Sequence, residues 1–223
     1  MIWLIFLLAC NSPQPEEIPH DQGLTQKNLI FKTVEKLGPH KFYATISREE
    51  YRDDKLVSLH QEITEIIWQD WDNFSFKRMV DSKVVENVIV VDREAWMMLP
   101  NQVWKKQKDA YSHRVDMRRS WNVWEQLLKP FYDGLVFTKE QRAEIDSRPV
   151  DKYSLSYSNS GKIKNAALTP VSIAGLVWVD IDTTVRLFGE VEGVRQKGDY
   201  RKEFFLQFER SNIGEEIVLN PPK

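Results

Sequence analysis

The chain has 223 residues, with 31 lysines and arginines against 33 aspartates and glutamates, a net charge of −2 and 42% hydrophobic residues. A chain of this length buries roughly 70% of its unfolded surface and needs no metal or disulfide for a stable core. The balanced charge and the 12% aromatic content are not typical of a disordered chain or of a protein that binds polyanions. These numbers argue against nucleic acid as a partner.

The N-terminus is an apolar run, Met-Ile-Trp-Leu-Ile-Phe-Leu-Leu-Ala-Cys, that ends in the only cysteine of the chain, Cys10. The run is too short to cross the ~30 Å hydrocarbon core of a bilayer, which takes about 20 residues. Its last four residues, 7–10, resemble the lipobox of bacterial lipoproteins. The resemblance implies that residues 1–9 are a signal peptide and that Cys10 carries the lipid. The alternative is a buried N-terminal segment with an incidental cysteine.

Residues 10–23 are interpreted as the lipidated cysteine and a tether, because residues 11–23 are polar and contain three prolines, as in a spacer between membrane and domain. In Gram-negative lipoproteins an aspartate directly after the cysteine retains the protein in the inner membrane, and Asn11 stands there in this chain. The resemblance therefore implies an anchor in the outer membrane, on the periplasmic face. An exported domain with no further cysteine would contain no disulfide.

Beyond the tether we predict one domain, residues 24–223. Residues 24–37 carry apolar side chains at a loose helical spacing, which predicts a short amphipathic helix. Over residues 42–47 apolar and more polar side chains alternate, which predicts a half-buried strand. Residues 57–67 favour a second strand by their β-branched content, with Val57, Leu59, Ile63 and Ile67 on one face, although part of the segment also fits a helix. Residues 74–91 predict a hairpin of two antiparallel strands.

The most regular helical pattern of the chain covers residues 111–129 and ends before Pro130. Its apolar side chains recur at spacings of four, three and four residues: Met117, Trp121, Trp124 and Leu128. This spacing predicts one amphipathic helix with a continuous apolar stripe. The stripe is either core against the sheet or the lining of a ligand site, and Trp121, Trp124 and Leu128 are our candidate ligand-binding residues.

The C-terminal third is strand-like again. Alternating or apolar runs cover residues 153–157, 171–179, 185–191 and 204–208, and turn residues separate them. Consecutive turn-linked strands of this length are typical of an antiparallel meander. The fold class predicted for the domain is therefore α+β: a broad curved antiparallel β-sheet packed around one main helix.

A search for catalytic or metal-binding motifs returns little. The four histidines are His20, His40, His60 and His113, and none has the i,i+3 or i,i+4 spacing of a helical metal pair. The chain contains no nucleophile elbow, phosphate-binding loop or dinucleotide fingerprint. Asp180 and Asp182 follow a strand and could hold a cation, but a solvated hairpin turn is the simpler interpretation. We expect neither an enzyme nor a metal or other cofactor.

The order of elements resembles the Lol-type lipoprotein-carrier superfamily. The resemblance rests on the lipobox, the short first helix, the alternating strands, the helix with Trp121 and Trp124, and a closing meander that contains Gly-Leu-Val-Trp-Val-Asp at residues 175–180. It implies an incomplete antiparallel barrel around helices, with an apolar cavity for acyl chains.

The expected function is that of a membrane-anchored envelope lipoprotein, a non-catalytic carrier or binding module for an apolar or lipid-like ligand. The 26 aromatic residues would suit the lining of such a site. The alternative is a structural or assembly lipoprotein whose core is filled and whose partners are envelope proteins.

Overall fold

The computed structural model describes residues 34–158 and 168–222, which form one sheet and a short helical segment. The strands are β1 (His40–Arg52), β2 (Lys55–Trp68), β3 (Phe74–Val80), β4 (Lys83–Val91), β5 (Glu94–Met98), β6 (Trp104–Lys106), β7 (Leu135–Ile145), β8 (Arg148–Tyr157), β9 (Thr169–Asp180), β10 (Arg186–Lys197) and β11 (Tyr200–Ser211). The helices are α1 (Tyr111–Trp121) and α2 (Val123–Leu128), and 3-10 turns cover Glu35–Leu37 and Lys129–Phe131. We call residues 111–131 the helical segment.

All eleven strands belong to one antiparallel sheet in the order β6-β5-β4-β3-β2-β1-β11-β10-β9-β8-β7. Each half of the chain is a meander, and the halves join where β1 pairs with β11 from Lys41 opposite Ser211 to Arg52 opposite Tyr200. The outermost strands, β6 and β7, are not paired with each other, so the sheet is open. The helical segment connects these two edges.

Four hairpins turn through two residues that both have positive φ: Asp53-Asp54, Asp81-Ser82, Asp92-Arg93 and Asp146-Ser147. Two consecutive positive φ angles are the signature of a type I′ turn, whose twist matches that of the flanking strands. Aspartate leads each turn because its short polar side chain tolerates the left-handed region. These turns hold the long strands in register.

The sheet curls around the helical segment. In a flat sheet β11 and β7 would lie about 19 Å apart, since neighbouring strands are spaced ~4.8 Å. A single side chain, Trp124 of α2, nevertheless packs against Phe208 of β11 and Phe137 of β7, with ring centroids 6.0 and 6.5 Å away. The sheet is therefore an incomplete barrel, and we call the face towards the helical segment the inner face.

The strand predictions are confirmed, and the structure adds which face each set of side chains occupies. The side chains of Phe42, Ala44 and Ile46 alternate into the core as expected. The residues of β2 predicted to share a face, Val57, Leu59, Ile63 and Ile67, do share one, and it is the outer face. The register pairs Ile66 with Phe42, so the even-numbered positions of β2 near this pair point inward, and Val57 is 57% exposed.

The helix predictions are only partly confirmed. The segment predicted as one helix over 111–129 consists of two short helices, because Asn122 adopts φ −96° and ψ 33° and its N–H bonds back to the carbonyls of Arg118 and Arg119. The predicted architecture of a sheet around one main helix is therefore corrected to a large open sheet around two short helices. Within the described ranges, no helix has the length and apolar character needed to span a membrane.

Several predictions fall outside the described residues. The signal peptide at 1–9, the tether at 10–23 and Cys10 all lie before residue 34. Of the helix predicted over 24–37, only the end is described, and it is the 3-10 turn at Glu35–Leu37.

Candidate functional site on the inner face

Trp121, at the end of α1, is the centre of an aromatic cluster. Its ring centroid lies 5.3 Å from His40, 5.7 Å from Trp68, 6.2 Å from Trp71 and 6.5 Å from Phe42. These partners come from β1, from β2 and from the turn after β2, so the indole ties the N-terminal half of the sheet to the helical segment. The side chain is 3% exposed, and aromatic contacts of this kind stabilise a core beyond their buried area.

Trp124 and Leu128 extend this packing to the C-terminal half. Trp124 meets Phe208 edge-on and stacks on Phe137, and Leu128 is fully buried. The structure thus brings the three candidate ligand-binding residues together on the inner face. All three are covered, and none of them lines the surface cavities described below.

Two arginines are buried beside the indoles. Arg210 of β11 donates from Nη1 to the backbone carbonyl of Arg186 at the start of β10. The Arg210 guanidinium carbon lies 4.8 Å from the ring centroid of Phe42, 5.9 Å from that of Phe208 and 6.0 Å from that of Trp121. Aromatic faces attract a cation through their quadrupole. They partly compensate for the water that Arg210 has lost.

One carboxylate belongs to the same region. Glu125 of α2 places Oε1 3.6 Å from Nη2 of Arg186, and its Oε2 accepts a hydrogen bond from the Tyr132 hydroxyl. The Arg186 guanidinium lies 4.6 Å from the ring centroid of Trp124. We call Glu125, Arg186 and Arg210 the arginine cluster.

Burial shifts the pKa values in and around the cluster. Burial lowers the pKa of Arg210 to about 9, with a further contribution from Arg186, and burial lowers the pKa of Arg186 to about 10. Burial and the nearby Arg210 lower the pKa of His40 to about 3. Burial and the hydrogen bond to Glu125 raise the pKa of Tyr132. At neutral pH both guanidinium groups are therefore largely charged, while His40 and Tyr132 are neutral.

Several buried polar atoms around the cluster have no hydrogen-bond partner among the described residues. They include Nε of Arg210, the indole Nε1 atoms of Trp68, Trp121 and Trp124, Nε2 of His40 and Oδ1 of Asn122. Buried polar atoms without partners are uncommon in folded proteins. Their concentration between the helical segment and the sheet marks this interface as the candidate site.

A second group of charges lies in an open cleft of about 460 Å³ between the inner face of the N-terminal half and α1. We call this the polar cleft. Its charged lining residues are Glu62, Arg78, Glu86, Asp116 and Arg119. Arg78 lies 3.9 Å from Glu86, and Glu62 forms an ion pair at 3.1 Å with Arg48, which lies next to the cleft on β1. The polar cleft is suited to water and ions rather than to an acyl chain.

Two further surface cavities are also polar. One of about 420 Å³ lies over the strands β1, β11, β10 and β9 and is lined by three carboxylates, Glu49, Glu192 and Glu203. The other, of about 670 Å³, lies at the turns around residues 70–73 and 92–93. Because Trp121, Trp124 and Leu128 are buried, an acyl chain that contacts them would have to occupy volume that the helical segment now fills.

Asp180 is not in a solvated turn, as the simpler interpretation of the sequence had it. It is fully buried and accepts hydrogen bonds from Nε of Arg148 at 2.7 Å and from the N–H and hydroxyl of Thr183 at 2.8 and 2.7 Å. Burial raises its pKa, but these hydrogen bonds outweigh burial and hold the pKa below its usual range. Asp182 is exposed, and no group of metal-ligating side chains occurs among the described residues.

Comparisons with known proteins give similar folds only. Neither a family model nor a curated protein matches the sequence. The chain is similar to the lipoprotein LppX of Mycobacterium tuberculosis, with a TM-score of 0.32 and 9% identity over 89% of this chain and 98% of that one. A LolA superfamily protein of Nitrosomonas europaea is similar with a TM-score of 0.26 and 9% identity, over 87% of this chain and 95% of that one. The match to a chain of the Pseudomonas aeruginosa MucA/MucB complex has a TM-score of 0.29 and 14% identity, over 85% of this chain and 58% of that one.

With TM-scores below 0.5, no ligand, partner or residue role passes from these proteins to the chain. The architecture of the chain itself decides the fold class. An open antiparallel sheet of eleven strands curls around a helical segment that connects its two edges. This is the incomplete antiparallel barrel around helices that the order of sequence elements led us to expect.

Proposed function

We propose that the chain is a non-catalytic binding module of the bacterial cell envelope. In this proposal a lipid on Cys10 anchors it to the periplasmic face of the outer membrane. An apolar or lipid-like ligand binds between the inner face and the helical segment, where it contacts Trp121, Trp124 and Leu128. The lipobox resemblance and the polar tether support the anchor, and the curled sheet supports the binding role.

The observation that carries the binding role is the poor hydrogen bonding under the helical segment. A permanently closed core loses stability for each buried donor or acceptor that has no partner. Among the described residues, the indole N–H groups of Trp121 and Trp124 and the amide oxygen of Asn122 have no hydrogen-bond partner. In an interface that opens and recloses, the buried donors and acceptors do not need to be as completely hydrogen-bonded as in a permanent core.

The helical segment also has features that favour its displacement from the sheet. Its helices α1 and α2 have 11 and 6 residues, and helices this short are marginal without tertiary contacts. Asn122 separates them with non-helical dihedral angles. Displacement of this segment would free the volume of Trp121, Trp124 and Leu128 for an acyl chain, and the ligand would replace their contacts with the sheet.

Quenching by a brominated fatty acid tests the binding site directly, because bromine quenches only nearby indoles. We expect partial quenching of the tryptophan fluorescence of the full chain. The quenched fraction should fall in Trp121→Phe and Trp124→Phe. It should persist in Trp96→Phe, a control on the outer face, where Trp96 pairs with Ile89 and contacts Lys106. Absence of quenching, or equal quenching in all variants, would reject this site.

Lipidation is tested separately. Cells that express the chain should incorporate radiolabelled fatty acid into it, and the Cys10→Ser variant should lose the label. Fractionation should place the labelled protein with the outer membrane. Label retained in Cys10→Ser would reject this anchor and leave the binding proposal to stand on the inner face alone.

The second candidate is a structural or assembly lipoprotein with a filled core. Complete burial of Leu128 and near-complete burial of both indoles favour it, as do the exposed apolar side chains on the outer face of β2 and β4. In that case native mass spectrometry of the purified chain would find no lipid. The brominated fatty acid would not quench any variant.

A further inference from the structure

Arg210 is a buried cation without a counter-ion among the described residues. Its side chain is 5% exposed, its single hydrogen bond goes to the carbonyl of Arg186, and its Nε has no acceptor. The charged group that acts on its pKa is another cation, Arg186. Glu125 contacts Arg186 rather than Arg210.

A guanidinium group in this position is costly to the empty protein. Burial of an ion is tolerated when a charge of opposite sign and full hydrogen bonding compensate for lost hydration. The aromatic faces of Phe42, Phe208 and Trp121 compensate only in part, because cation–π contacts at 5 to 6 Å are weaker than an ion pair. The position therefore has the electrostatics of a site that binds an anion.

The neighbouring donors fit the same ligand group. The indole N–H groups of Trp121 and Trp124 are buried and have no acceptor in residues 34–158 and 168–222. Both rings pack against residues that surround Arg210. An oxyanion accepts several hydrogen bonds at once, and a guanidinium group matches the geometry of a carboxylate or phosphate. The surroundings are otherwise aromatic, which suits a hydrocarbon chain rather than a hydrated free ion.

We propose that Arg210 binds the oxyanion headgroup of an amphiphilic ligand, a carboxylate or a phosphate monoester. The indole N–H groups of Trp121 and Trp124 act as further donors, and the alkyl chain lies among the aromatic side chains of the inner face. The inference rests on the proposed function, because the helical segment must open to admit the ligand. To the proposed function it adds the chemical class of the ligand's headgroup and the residue, Arg210, that selects this headgroup.

The test compares three ligands with one alkyl chain: decanoate, decyl phosphate and decanol. Calorimetric titration uses the full chain with Cys10→Ser, so that its own lipid cannot compete, together with Arg210→Gln and a control. The control Arg142→Gln removes an exposed arginine of β7 that pairs with Asp151. Hydrogen bonds to a charged group correspond to about 10- to 100-fold in affinity.

We expect the Cys10→Ser chain and the control to bind at least one of the two anions about 10- to 100-fold more tightly than decanol. In Arg210→Gln this preference should vanish while the affinity for decanol stays the same. The preferred anion identifies the headgroup as carboxylate or phosphate. Equal affinity for all three ligands, or a preference that survives in Arg210→Gln, would overturn the inference and leave the proposed function standing.

Two further readouts keep the outcomes distinct. If none of the three ligands binds, the proposed function fails and the inference fails with it. Thermal unfolding of ligand-free Arg210→Gln shows whether the arginine is structural. We expect an unchanged or higher Tm, because the substitution removes an uncompensated buried charge, whereas a large fall in Tm with no loss of anion preference would assign Arg210 to the core alone.

Discussion

Charged side chains occur on the inner face in two places, and they are arranged in opposite ways. In the polar cleft, Arg48 and Glu62 form an ion pair at 3.1 Å, and the arginine side chain is 37% exposed. In the arginine cluster, Arg186 and Glu125 are 3.6 Å apart at 6% and 7% exposure, and Arg210 has no carboxylate at all among the described residues. The cleft is open and electrically balanced, whereas the cluster is closed and carries excess positive charge.

The difference shows how exposure to water determines how much an ion pair contributes to stability. An exposed ion pair gains little from its partner because water already stabilises each ion. A buried pair depends on its partner, since removal of one member leaves the other uncompensated in a low dielectric. The substitutions below test this contrast between the two sites.

The largest effect is expected from the indole that covers the cluster. Trp124→Ala should lower the free energy of unfolding by about 3 to 5 kcal/mol, because it removes a fully packed ring and leaves a cavity. Urea denaturation followed by circular dichroism measures the loss. Phe205→Ala, at an outer-face position that is 38% exposed, is the control and should cost less than about 1 kcal/mol. Equal losses would show that the helical segment adds no stability to the sheet.

Glu125→Gln comes next. The substitution keeps the shape of the side chain but removes the negative charge beside Arg186 and weakens the acceptor of the Tyr132 hydroxyl. We expect a loss of about 3 kcal/mol, typical of a buried pair that loses one partner. Glu62→Gln in the polar cleft makes the same chemical change where Glu62 is 18% and its partner Arg48 is 37% exposed, and it should cost no more than about 1 kcal/mol. Similar values for both would remove the distinction between the two sites.

His40 gives the cluster a pH dependence. Its folded pKa of about 3 lies below the unfolded value of 6.5, so between these limits the unfolded state binds a proton that the folded state does not. Stability is therefore complete above pH 6.5 and falls with pH by at most about 1.4 kcal/mol per unit. His40→Phe should flatten the difference in stability between pH 6 and pH 4, measured by urea denaturation. An unchanged slope would mean that His40 titrates normally.

The sequence predicted the sheet well because strand periodicity is local. Phe204, Leu206 and Phe208 alternate inward as expected, and the same alternation places Arg210 on the inner face. The position of Arg210 was thus available from the pattern, as a charged residue in an apolar register. The pattern could not show that Arg210 lacks a counter-ion, because this depends on where Arg186 and Glu125 lie in other elements.

Long-range contacts also decided two features that the local pattern left open or misjudged. The mixed apolar pattern of β2 fits either face, and only pairing with β1 turns Ile66 inward and Val57 outward. Asp180 resembles a turn residue in the sequence, yet Arg148, 32 residues away, makes it a buried ion-pair partner. Local patterns therefore predict elements, whereas the burial of a charge depends on which elements meet.

The smallest effect is expected from the ion pair of the polar cleft. A double-mutant cycle with Arg48→Gln and Glu62→Gln should give a coupling energy of about 0.2 to 1 kcal/mol, because the arginine is partly solvated. The coupling should weaken further in 1 M salt, where the Debye length falls to about 3 Å. The corresponding cycle of Arg186→Gln with Glu125→Gln should exceed it and respond much less to salt. If the cleft pair couples as strongly as the buried pair, exposure does not distinguish the two pairs. The argument that the buried charge of Arg210 needs a counter-ion would then lose its basis.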